Sequence, residues 1–461
     1  MNRIFKKVWN RRRGCFVAVS EAMSSAGQRA GKAACIVAAS ALLSGNVFAE
    51  NYSGDYSGQV KWGSGSTVAA GEVANLLGGS SQRGHWNVYG TLNAHGYVLL
   101  SGENPGSDQC DDIEIFAGGA YNIMSNGDIQ AKASNSGDTN AHGFLNHGTL
   151  YSASGSIMQF TSPYSVIRNF ETGYVELNGS LNLSGLIDNA SNFVTNGGMT
   201  VTSSGNVQNS KNFTNNSTID FAGNWSGNGT LINNGTFNLN SGTFSHEIKG
   251  NGRFIYAGGS FSSNLISENL TLQINQGLSA TVGNASNANI DNYGNFSISS
   301  GILNSVVNQQ GAVFNFTGAS LSVLINNGEA TVNADLNITG SVVNTGTLVT
   351  AGKWNFNGGR LTSNGTVITD NANNVFDTFG ESGSQELNYV SLGSTTPQTV
   401  RTSLNNFFRK YLPGTVSQTL AQNASFTRGK IVITGVNLTT TQRDDLVKAF
   451  KAQFFEIQNE D

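Results

Sequence analysis

The sequence predicts an all-β protein, a right-handed parallel β-helix (solenoid) followed by a small C-terminal α+β module. Three observations carry the expectation. First, a short unit of two apolar residues, Asn, any residue and Gly recurs around Asn146, Asn233, Asn326 and Asn344, as in Leu231-Ile232-Asn233-Asn234-Gly235. Looser copies at Asn169, Asn196, Asn215, Asn292, Asn308 and Ser363 leave the starts over 196–233 and 292–363 only 16 to 19 residues apart. Second, apolar residues alternate inside the copies, as at Phe237 and Leu239 or Phe296 and Ile298, with the period of a half-buried strand. No stretch over 81–380 carries a convincing amphipathic helix. Third, 57 glycines, 4 prolines and 12% charged residues describe a chain whose backbone donors are nearly all used in ladders. Such a composition can mean disorder, but a disordered chain would lack the periodicity.

Taken in order, the elements begin with a leader over 1–49. Met1-Asn2-Arg3-Ile4, a basic stretch with Trp9-Asn10, and Val19-Ser20-Glu21 precede a second basic patch at Arg29 and Lys32. An apolar run from Ala33 to Leu43 and a small-residue exit at Val47-Phe48-Ala49 follow, so cleavage is expected between Ala49 and Glu50. The run is too short for a membrane span, which needs about 20 residues in a helix. Lys32 occupies the position where lipidation of Cys35 would want an aliphatic residue.

Residues 50–80, rich in Gly and Ser, read as a cap over a raw strand edge at the start of the coil. The coil itself is assigned to 81–380. Three short strands and three turns use about 18 to 20 residues, so the segment makes roughly 16 turns and a rod of about 75 Å. Asn146, Asn196, Asn233, Asn292, Asn326 and Asn344 are expected to form a structural ladder. Asn tolerates left-handed backbone at a turn, and its amide can bond its counterparts above and below; the following Gly would relieve the same bend. Residues 381–461 read as two strand-to-helix units: a strand at Leu387–Leu392, a helix opened by Thr396-Pro397, a strand at Ile431–Val436 and a helix opened by Thr439 to Thr441.

Removing the leader takes away eight of 25 Lys+Arg and one of 29 Asp+Glu, leaving a mature chain near −11. That balance argues against nucleic acid as a partner. Cys15 and Cys35 leave with the leader, so Cys110 alone remains and no internal disulfide can form.

No catalytic constellation is expected. The chain lacks a Gly-Asp-Ser-Gly turn, and the charged residues of the repeats (Asp188, Asp220, Lys211, Arg253, Glu329) are scattered singly rather than grouped for acid-base work. His142 and His147 are read as solvated turn residues rather than zinc ligands, and acidic neighbours dull the thiol of Cys110. No metal or cofactor is expected.

The leader residues Met1 to Ile4, Trp9-Asn10 and Val19-Ser20-Glu21 resemble the extended signal peptide region of type V secretion proteins, the autotransporters and two-partner-secreted haemagglutinins. The resemblance implies engagement with inner-membrane secretion machinery and a β-helical passenger that folds outside a Gram-negative cell, secreted or on its surface. Two features depart from the family. The chain ends Phe454 to Asp461 without the amphipathic strands of a translocator barrel, and none of its prolines (Pro105, Pro163, Pro397, Pro413) lies in an Asn-Pro-Asn motif. The expectation is therefore the N-terminal part of a longer passenger, or an exoprotein whose transporter is encoded separately. An adhesin-like role follows, with glycans, a host surface receptor or a second copy as candidate partners. A secreted carbohydrate-active enzyme on the same scaffold and a non-functional truncated passenger are the alternatives.

Overall fold

The computed structural model describes residues 52–56, 66–77, 80–82, 86–100, 112–131, 142–318 and 320–351, with isolated strands at 5–10, 15–20, 354–356, 360–363, 366–369, 378–379, 385–390 and 428–433. Forty-five strands join one hydrogen-bonded sheet. It winds as a parallel β-solenoid of about 14 turns. In the leader, Phe5–Asn10 and Cys15–Ser20 pair as an antiparallel hairpin.

A single turn shows how the sequence builds the coil. Asn206–Asn209, Asn212–Asn215 and Thr218–Phe221 are its three strands, one on each face. Each lies parallel on the strand one turn earlier, with Val207 over Ile187, Phe213 over Phe193 and Phe221 over Val201. Alternation sends every second residue inward, and each of the three strands repeats the pattern of one outward and one buried residue. Leu231, Phe237, Leu239, Phe296, Ile298, Leu324 and Leu348 are all buried, as the alternation predicts.

Stacking in register fills the interior with like on like. Phe193 and Phe213 stack at 4.6 Å between centroids, and Phe237 and Phe254 at 4.9 Å. Trp225, fully buried, stands edge-on to Phe213 and Phe237 and ties two faces together. Burying each large aromatic contributes roughly 1.5–3 kcal/mol, before the entropy cost of ordering the chain.

The corners work differently from the expectation. Among the described residues, only Glu268, Asn269 and Asn287 are non-glycine residues with positive φ, and none belongs to the repeat motif. The motif Asn is therefore not there to tolerate left-handed backbone. Its side chain closes the corner by hydrogen bonds. The Gly that follows is there for want of a side chain: a Cβ on Gly235 would lie 1.9 Å from the carbonyl oxygen of Ser217, one turn below. Corners stack backbone on backbone, and only a hydrogen fits between.

Beyond residue 260 the strands lengthen and bend around corners. Ser279–Asn292 alone runs along all three faces, pairing with Asn295–Ile298 and with Gly301–Asn308 in the next turn. Near the other end the turns are wider, since Ile113 stands over Trp86 and Phe144 over Ile113. The extra residues fall in 101–111 and 132–141, outside the described residues.

Part of the segment expected to cap the coil is coil. Gly54–Tyr56 pairs parallel with Ala74–Leu76, and Ser66–Val68 with Trp86–Val88. At the other end, Arg428–Ile433 lies antiparallel on both Thr366–Thr369 and Gln385–Val390. The two helices expected in 381–461 lie outside the described residues.

Candidate binding face

Buried amides occupy three corners. At the first, Asn146 donates from Nδ2 to Oδ1 of Asn169 (2.9 Å), Asn169 to Asn189 (2.9 Å) and Asn189 to Asn209 (2.8 Å). At the second, Asn215 donates to Asn233 (2.8 Å). At the third, Asn292, Asn308, Asn326 and Asn344 are joined by bonds of 2.7 to 2.8 Å. Each rung also reaches the next turn's backbone, as Asn326 does to the carbonyl of Thr347 (2.9 Å). All these Asn side chains are fully buried, so their amides are spent on structure rather than on a ligand.

Asn196 stands apart from them. Its strand ends at Thr195, which takes the inward position, and Asn196 is exposed. There it joins an outer ladder, donating to Asn178 (2.8 Å) and accepting from Asn216 (2.7 Å), which in turn accepts from Asn234 (2.9 Å). Asn189 and Asn209, absent from the sequence motif because no Gly follows at the right spacing, carry the first ladder. The signal that marks them is an apolar residue two before the Asn, at Ile187 and Val207.

The outer surface is laid out in rows of like kind. Asn122 donates to Asn93 and Asn93 to Asn75, each at 2.9 Å. Two charge pairs cross between turns: Arg168 with Asp188 at 3.0 Å and Arg253 with Asp291 at 2.7 Å. At such half-exposed sites each pair is worth about 0–1 kcal/mol. An aromatic column runs up one corner, with Tyr89 stacked on Phe116 at 4.2 Å and His147 on Phe170 at 3.9 Å and 4°. His147, in the bend between two strands and a third exposed, thus keeps the turn position expected of it but lies against a ring, with Nε2 3.9 Å from Glu114. Among the described residues, no three His, Cys, Asp or Glu converge as metal ligands. His142 pairs through its backbone with Ser165, while Cys110 lies outside the described residues.

An open concavity interrupts the rows among the described residues. A cavity of about 480 Å³ is lined by Ala257, Gln273, Asn275, Gln276 and Tyr293. Ala257, Asn275 and Tyr293 succeed one another up a single corner, their N–H groups bonded to the carbonyls of Leu239, Tyr256 and Ile274. The turn at Asn275 is wide, closed by Leu278 N–H to the Asn275 carbonyl, with Gly277 at φ +79°. It projects Gln276 beyond small Ala257 below, and Tyr293 above is 40% exposed, which makes the ring available.

Of the leader residues, Trp9, Asn10, Val19 and Ser20 lie on the antiparallel hairpin. Met1 to Ile4, Glu21 and the expected cleavage residues Ala49 and Glu50 lie outside the described residues. Residues 1–49 match the family described as the extended signal peptide of type V secretion systems. No curated protein and no solved structure matches the chain. The leader implies engagement with secretion machinery and export across the inner membrane of a Gram-negative bacterium.

Proposed function

We propose that the mature chain is a non-enzymatic, adhesin-like passenger, carried out through type V secretion, which binds glycans or a second copy of itself along the rod. The observation that supports this most is the outer surface. It repeats uncharged polar side chains turn after turn at about 4.8 Å, and its described ion pairs are internally neutralised. A regular array of that kind suits many weak, multivalent contacts with a repeating polymer or a like surface.

The exported chain tests this on a glycan array and by sedimentation at two ionic strengths. Binding or self-association through polar rows changes little with salt, whereas contact with a basic partner weakens steeply as charge is screened. Cleavage of a polysaccharide, abolished by replacing an acidic residue of the repeats, would replace the adhesin reading with the enzyme.

A further inference from the structure

We infer that the cavity at Ala257, Gln273, Asn275, Gln276 and Tyr293 is a binding site for one neutral pyranoside unit of a glycan chain. The inference rests on the adhesin reading and locates its contact.

Along the outer ladders the amides are paired with one another from turn to turn, as in Asn178, Asn196, Asn216 and Asn234, and Asn238 donates to Asp220 at 2.7 Å. Amides so engaged have little left to offer a ligand. At the cavity the vertical pairing stops, because Ala257 sits below Asn275 and Tyr293 above it. Asn275 is instead held from the side. Arg253 Nε donates to Gln273 Oε1 (3.0 Å), and Gln273 Nε2 donates to Asn275 Oδ1 (2.7 Å). With Oδ1 accepting from Gln273, the Nδ2 of Asn275 is left as a fixed donor at the cavity wall. Gln276 on the projecting turn adds a second amide.

These groups select the ligand class. No charged side chain lines the cavity, and Arg253, which holds Gln273 from behind, is neutralised by Asp291 at 2.7 Å. An anionic sugar would find no counter-charge there and an acidic rod around it. A neutral pyranoside has one face of C–H bonds and a rim of hydroxyls. The C–H face suits the negative face of the Tyr293 ring, and the hydroxyls suit the amides and the phenol. The volume falls in the ~300–1,000 Å³ range of small-ligand sites.

An array carrying neutral, sialylated and sulfated glycans, probed with the exported wild-type chain and with Tyr293→Ala and Asn275→Asp, decides the matter. Both positions face the surface, and circular dichroism checks that each variant keeps its β signal. Neutral glycans are expected to bind, and each variant to lose at least tenfold, while Tyr174→Ala, at an exposed tyrosine that opens the strand Tyr174–Leu177, binds like wild type. Neutral binding that survives both variants would overturn the site while leaving the adhesin reading intact. Binding confined to sialylated or sulfated glycans would overturn it as well. If no glycan binds, the site falls, and sedimentation alone then decides whether the rod acts by self-association.

Discussion

His246 Nε2 lies 3.2 Å from the carbonyl oxygen of Asn209, two turns below in the coil. Gly227 occupies the intervening turn, and a Cβ there would lie 2.1 Å from that same oxygen. The bare glycine lets a buried imidazole cap the first Asn ladder. A carbonyl only accepts, so the ring carries its proton on Nε2.

Burial holds His246 below the ordinary imidazole value, outweighing the backbone hydrogen bonds at Asn209 and Ser245 that favour the charged form. As pH falls, the unfolded chain takes up this proton first. Stability is therefore full above about pH 6.5 and declines from there toward the lowered folded value. The urea midpoint of the wild type is expected to fall as the pH is taken below about 6.5, and that of His246→Gln to fall less. Equal slopes would show that His246 is not linked to folding.

Asn326 sits between two neighbours, accepting from Asn308 and donating to Asn344. Asn326→Ala leaves buried amide groups unpaired on both sides, at a cost of about 1–3 kcal/mol for each unsatisfied group. Asn196→Ala, on the outer ladder, should stay within about 0.5 kcal/mol of wild type. Denaturation of the two variants side by side measures the contrast, and equal midpoints would contradict it.

Phe237 is fully buried between Phe221 and Phe254. Phe237→Ala should cost about 3–5 kcal/mol. In a coil whose turns pack chiefly on their neighbours, the loss appears first as faster amide exchange in the adjacent turns. Exchange that rises uniformly along the rod would instead indicate a single cooperative unit.

Processing is checked without mutation. N-terminal sequencing of exported material should read Glu50-Asn51-Tyr52, as the small-residue exit at Val47 and Ala49 requires. Material that begins at Met1 would refute cleavage there.

The coil was legible in the sequence because every turn imposes the same local demands: an inward apolar residue at every second position, and a corner with an amide and no side chain after it. Those demands recur near Asn146, Asn233 and Asn326, so a single chain displays them as a repeat. Which copies belong together was not legible. Asn146, Asn233 and Asn292 look alike in sequence, yet each occupies a different corner, and Asn196 lies outside the coil wall that Thr195 faces. Ladder partners stand 23, 20, 18 or 16 residues apart, because each turn takes its own loop lengths. A shift of one residue moves a side chain from the core to the surface.

By itself, then, the sequence determined the export route and the architecture, since a leader and a periodic core are read within a few tens of contiguous residues. Only the tertiary structure decided the surface. Arg253, Gln273 and Asp291 are separated along the chain and meet because the coil returns each to the same face one turn higher. Ala257, Asn275 and Tyr293 line an open concavity for the same reason. Register, set by the sum of all preceding turn lengths, is a property of the wound chain that no local stretch contains.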